Sequence, residues 1–129
     1  MPLIIGAFSA DSGTIHMMSD DGALHLKAAV GVPEVVLNIV RIVPIGKGMA
    51  GLCAERGLPV DACNIQSDSS GNVKPGAKAT GMEGAIVVPI FDQQTVAGTL
   101  GIANRRERAF TPEEQAELIA AGRILVRLR

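Results

Sequence analysis

The chain has 129 residues, 47% of them hydrophobic, with 12 Lys and Arg against 13 Asp and Glu, no Trp or Tyr and three Phe. That length fits one domain, 1–129, able to bury about two thirds of the surface its unfolded form exposes, with a core of Val, Ile, Leu, Met and Ala and no means of building an aromatic cage or a base-stacking platform. Balanced charge gives no footprint for nucleic acid or an anionic membrane surface, no apolar run approaches the ~20 residues of a membrane span, and residues 1–10 lack the basic start of a signal peptide, so a cytoplasmic location is expected.

Residues 1–9 are apolar and read as a short helix that needs docking to persist. Residues 14–18 and 23–30 flank Asp21-Gly22, a hairpin turn signal, and pair as antiparallel strands. Period-2 alternation places Ile15 and Met17 opposite to Thr14, His16 and Met18, and groups Leu24, Leu26 and Ala28 on one face. The same alternation sets His16 and His25 side by side, a polar sheet face or a metal pair without a third ligand; no metal site is assigned. Pro33 opens a helical turn over residues 33–39, residues 41–45 read as a strand, and Gly46-Lys47-Gly48 leads into a helix over 49–56 that Gly57 stops. Residues 60–63 continue extended.

Residues 64–83 form a polar stretch without a period. Loops of this length in compact domains are commonly functional, and the binding residues are expected here: Asn64, Gln66, Asp68, Ser69 and Ser70 as hydrogen-bonding groups, Lys74 or Lys78 as an anion partner and Met82 as a lid residue. The two cysteines, Cys53 and Cys63, lack zinc spacing and a secretory context and read as reduced thiols, with Cys53 in the core.

Two β-branched runs, 85–91 and 95–103, joined by Asp92-Gln93-Gln94, form a second hairpin. The Arg105-Arg106-Glu107-Arg108 cluster reads as a solvated loop. Thr111 caps a final helix, Pro112 takes its first position and Glu114 completes a capping box. Its stripes, Leu118, Ala121, Leu125 and Leu128 beside Ile119, Gly122 and Val126, are wide enough to serve a sheet and a partner helix together, and Ala116, Ala120, Ala121 and Gly122 would let that partner come close.

Taken together, Gly13-Thr14-Ile15-His16, the run from Pro44-Ile45-Gly46 to Met49-Ala50-Gly51, Val88-Pro89-Ile90, Gly98-Thr99-Leu100-Gly101-Ile102 and Phe110-Thr111-Pro112-Glu113-Glu114 resemble, in order and spacing, the GAF domain family of small-ligand sensors. The resemblance covers residues 13–129. It implies an α+β fold: a central antiparallel sheet of about five or six strands, the terminal helices on one face and a loop-covered ligand pocket on the other. The Asn-Lys, Phe, Asp-Glu signature of cyclic-nucleotide-binding members is echoed by Asn104-Arg105, Phe110 and Glu114-Gln115, which reads as a structural tie in which Arg105 can pair with Glu114. Members that are free methionine-R-sulfoxide reductases carry cysteines where this chain has Ala50 and the cysteine-free residues 77–83. The resemblance therefore implies a regulatory or sensory domain without catalytic residues. It binds a small polar molecule of unspecified identity and signals through its terminal helices or a homodimer. A dimerisation module with a vestigial pocket is the alternative, and a sulfoxide reductase a further one.

Overall fold

The computed structural model describes residues 2–62 and 81–128, and within these the side chains of Pro2 and Leu128 are left aside. Six strands form one antiparallel sheet: β1 (Ser12–Met18), β2 (Leu24–Val30), β3 (Ile42–Val43), β4 (Val60–Ala62), β5 (Gly84–Asp92) and β6 (Thr95–Asn104), in the order β3-β2-β1-β6-β5-β4. The helices are α1 (Pro2–Ala7), α2 (Glu34–Val40), α3 (Gly48–Arg56) and α4 (Pro112–Leu128). Each expected hairpin forms locally. The two are then joined side by side by β1 and β6, which pair from Ser12↔Ala103 to Met17↔Gly98.

On one face of the sheet, α1 and α4 cover a core of Ile15, Ile86, Val88, Ile90, Leu100 and Ile102, with Phe8, Phe110 and Leu118 inserted from the helix side. Both stripes of α4 are used there, since Leu118 is buried in this core and Ile119, Ala121, Leu125 and Val126 pack against it. Gly122 faces Ile90 so closely that a Cβ would lie 3.2 Å from its Cγ1. The small residue thus lets the helix approach its own sheet rather than a second helix. The interface expected through Leu118 and Leu125 is therefore the protein's own core, and what α4 leaves exposed is the opposite side, with Ala116, Ala120 and Ile124.

On the other face, α3 seats Met49 and Cys53 against Val60, Ala62, Met82 and Ala85. Gly57 ends α3 in the left-handed region, at φ 66°, and its N–H donates to the Cys53 carbonyl, the expected glycine stop. The strand expected over 41–45 shortens to two residues, and Leu26 N–H donates to Arg41 O just before it.

The expected face assignment of β2 fails at a bulge. The register shifts between Ile15 and His16: Ile15 pairs with Ala28, but His16 pairs with Leu26, Met17 with His25 and Met18 with Leu24. One extra residue flips every side chain beyond it. Leu24 and Leu26 therefore share the face of His16, while His25 lies on the opposite face, where its Nε2 pairs with Asp21 at 2.7 Å. The two histidines do not form a pair.

The start of α4 is a knot of polar bonds. Thr111 and Glu114 form the expected capping box, each backbone N–H donating to the other's side chain at 3.1 Å. The cation on Glu114 is Arg108, not Arg105. Arg108 Nη1 also donates to Phe8 O at 2.6 Å and Asn104 Oδ1 at 2.8 Å, and its guanidinium lies over the Phe110 ring. Buried Asn104 donates in turn to Ser9 O at 2.7 Å. Arg105 is exposed and contributes its backbone N–H to Asp11 Oδ2. The Thr111 amide first, and Arg108 second, hold the Glu114 carboxyl below the usual carboxylate range. The tie joins α1, the end of β6 and α4 through one side chain. Arg108→Ala should therefore cost about 2–3 kcal/mol in urea unfolding, because it strips buried acceptors of a charged donor, whereas Arg105→Ala should stay within about 0.5 kcal/mol.

Candidate functional site

Between the sheet and the layer of α2 and α3 lies a cavity of about 220 Å³. Its floor is the central pair of strands. Along β1 the period of two sends Ile15 and Met17 into the helix-side core and turns Ser12, Thr14 and His16 to the cavity. Beside Thr14 its partner on β6 is Gly101, which leaves room for the Thr14 hydroxyl and the Val87 side chain. The walls are aliphatic: Val36, Ile39 and Val40 come from α2, Val43 from β3, and Met49 and Met82 from the α3 side. At the rim, exposed Lys47 precedes the first turn of α3, which has no side-chain cap.

His16 is 3% exposed, and its Nε2 lies 2.8 Å from Val40 O. A carbonyl only accepts, so Nε2 carries the proton and Nδ1 offers a lone pair. This bond holds the end of α2 over the cavity. Burial pushes the His16 pKa below its ordinary value of 6.5, against the opposing effect of the Val40 carbonyl. Across the sheet, His16 faces Thr99, whose Oγ1 is buried without a partner among the described residues.

Cys53 sits in the middle of α3, buried and free, outside the cavity lining. Desolvation pushes its thiol up to about 12, so it holds its proton at neutral pH and is a poor nucleophile. Among the described residues no three His, Cys, Asp or Glu side chains group as metal ligands.

Of the residues expected to bind, Asn64, Gln66, Asp68, Ser69, Ser70, Lys74 and Lys78, like Cys63, lie outside the described residues. Met82 is 3% exposed and forms part of the cavity wall. The polar row of Ser12, Thr14 and His16 was not anticipated as a cavity wall. Its signal in the strand is three polar residues at a period of two.

The buried imidazole makes stability depend on pH. The unfolded chain takes up a proton near 6.5, and the folded chain resists it, so the contribution of neutral His16 is whole above that value and declines as the pH falls below it. Urea midpoints of the wild-type chain should drop over that window. His16→Asn, which can keep a donor to Val40 O and cannot titrate, should flatten the dependence; an unchanged slope would remove His16 as its cause.

With this geometry in place, comparison with known proteins locates the fold. The type II free methionine-R-sulfoxide reductase from Thermoplasma acidophilum superposes with a TM-score of 0.79 at 20% identity, over 98% of this chain and 84% of that one. The GAF domain of an Acinetobacter phosphoenolpyruvate-protein phosphotransferase gives 0.80 at 17%, over 98% and 75%. A domain of a two-component sensor histidine kinase protein from Sinorhizobium meliloti 1021 gives 0.73 at 17%, over 96% and 81%. No curated protein sequence matches. The sequence model described as GAF domain matches residues 4–124; with that match and a six-stranded antiparallel sheet between two helical layers, the chain belongs to the GAF domain family.

Proposed function

We propose that the chain is a non-catalytic sensory and regulatory GAF domain, one domain over residues 1–129 acting in the cytoplasm, which binds a small molecule in the cavity and passes occupancy on through its terminal helices in a homodimer. The observation that carries this reading is the cavity itself. It is an apolar space with a few convergent polar groups, the usual make-up of a small-molecule site, and its cover includes α2, held by one side-chain bond from His16. A ligand there meets the floor of β1 and β6 and the cover at once.

Absence of catalysis is supported by Cys53. Sulfoxide reduction by a thiol needs a thiolate facing the substrate, and this thiol is protonated, helical and turned away from the cavity. Structural relatives include a free methionine-R-sulfoxide reductase from Neisseria meningitidis in complex with its substrate, so the decisive assay is thiol-dependent reduction of free methionine-R-sulfoxide. No turnover above the uncatalysed rate is expected. Turnover abolished by Cys53→Ser or Cys63→Ser would make the chain an enzyme.

For the homodimer, an apolar surface on a terminal helix left exposed by the fold is the outer side of α4, where Ala116, Ala120 and Ile124 follow at four-residue intervals and Ile124 is 57% exposed. Ile124→Lys should yield folded monomers in sedimentation, at an unchanged unfolding midpoint. A wild-type chain that is monomeric at high micromolar concentration would leave the terminal helices without this route.

A further inference from the structure

The chemical class of the ligand can be read from what lines the cavity, granted that the cavity is the binding site just proposed. Among the described residues no Asp, Glu or Phe side chain lines it, and its one ring is the His16 imidazole. Among these residues a cationic group finds no counter-charge, and a flat ring finds no Phe face to stack on. The walls instead offer branched aliphatic contacts from α2 and β3. The volume lies below the roughly 300–1,000 Å³ of drug-sized sites.

Against this apolar lining stand two sets of unmatched polar groups. The first is the row on β1. Ser12 is 5% exposed and Thr14 half-buried, and neither hydroxyl has a hydrogen-bond partner among the described residues. His16 commits Nε2 to Val40 O, which leaves Nδ1 as its acceptor nitrogen in the cavity lining. An acceptor that lines a cavity is a ready partner for a donor group on a ligand. The second set is the start of α3. Gly48, Met49 and Ala50 line the cavity, their amides precede the first intrahelical bond, from Gly51 N–H to Lys47 O, and no side chain caps them. Free amides at the positive end of a helix dipole, with Lys47 beside them, suit an anionic oxygen.

We propose that the cavity takes a small aliphatic carboxylate that also carries a hydroxyl group: the carboxylate at the start of α3 beside Lys47, the alkyl body against Val36, Val40, Val43 and Met82, and the hydroxyl donating to His16 Nδ1 within the row of Ser12 and Thr14. A hydroxyl satisfies Nδ1 without bringing a charge. An ammonium at the same place would also donate, but would leave a cation among aliphatic walls. A keto oxygen would set two acceptors against each other.

Calorimetric titration of the full chain with leucic acid, isocaproic acid, the methyl ester of leucic acid and leucine tests each element. Leucic acid should bind tightest. Loss of the hydroxyl, loss of the charge or gain of an ammonium should each weaken binding roughly tenfold, the equivalent of about 1.4 kcal/mol. Lys47→Gln and Ser12→Ala, both expected to fold as the wild type does by circular dichroism, should weaken leucic acid by about three- to tenfold, and Ala50→Phe, which projects into the cavity, should abolish it. Equal affinity for the ester, or no effect of Lys47→Gln, would overturn the anionic head; equal affinity for isocaproic acid would overturn the hydroxyl. Absence of heat with all four probes would overturn the proposal. A parallel thermal screen of neutral and cationic metabolites separates the two levels. A compound that binds the wild type and not Ala50→Phe leaves the sensory cavity standing with a different ligand class, and no stabilising compound of any class removes both.

Discussion

The pairing of β1 with β6 is the constraint on which the rest of the structure depends. It joins two hairpins that could each form alone, and it does so in a register, Ser12↔Ala103 to Met17↔Gly98, that decides what each face of the sheet becomes. With Ile15 opposite Leu100, the helix-side face is continuous and aliphatic and can be sealed by α1 and α4. The same register puts Thr14 opposite Gly101 and His16 opposite Thr99, so the other face is polar and low at its centre. A slip of one residue would exchange the two faces.

The two layers over the sheet are consequently unlike. On the helix side the stripes of α4 that carry Leu118, Ile119, Ala121, Leu125 and Val126 are consumed and the polar tie of Arg108, Asn104 and Glu114 locks the ends together. On the other side α3 packs at one end, over β4 and β5, and α2 reaches across the far strands. The space between them stays open because the central positions carry glycine, serine, threonine and a histidine already committed to Val40 rather than large aliphatic residues. Filling such a gap with aliphatic side chains would gain stability, so its retention agrees with a binding role.

Much of the fold was legible from the residues. Both hairpins, the glycine that stops α3 and the capping box of α4 follow from signals spanning a few positions, and the structure reproduces them. The resemblance in order and spacing extended that local reading to the α+β fold and to the face on which the terminal helices sit. The site was legible only in outline. The resemblance implies the side of the sheet, and Met82 belongs to the cavity wall, but the row of Ser12, Thr14 and His16 is not legible as a wall, because a period of two does not say which face will be roofed and which left hollow.

What the sequence determined by itself is therefore everything carried by near neighbours: alternation, turn chemistry, caps and helix stripes, each fixed by contacts within about one turn or one hairpin. What the tertiary structure alone decided is partnership across the chain. The bulge opposite Ile15 and His16 sends His25 to the far face, Arg108 rather than Arg105 takes Glu114, and His16 finds a carbonyl 24 residues away while Asn104 and Arg108 reach Ser9 and Phe8 across 95 and 100 residues. Such partners are set by strand register and by how helices settle on the sheet, and a one-residue shift in either leaves every local signal intact while changing which groups meet.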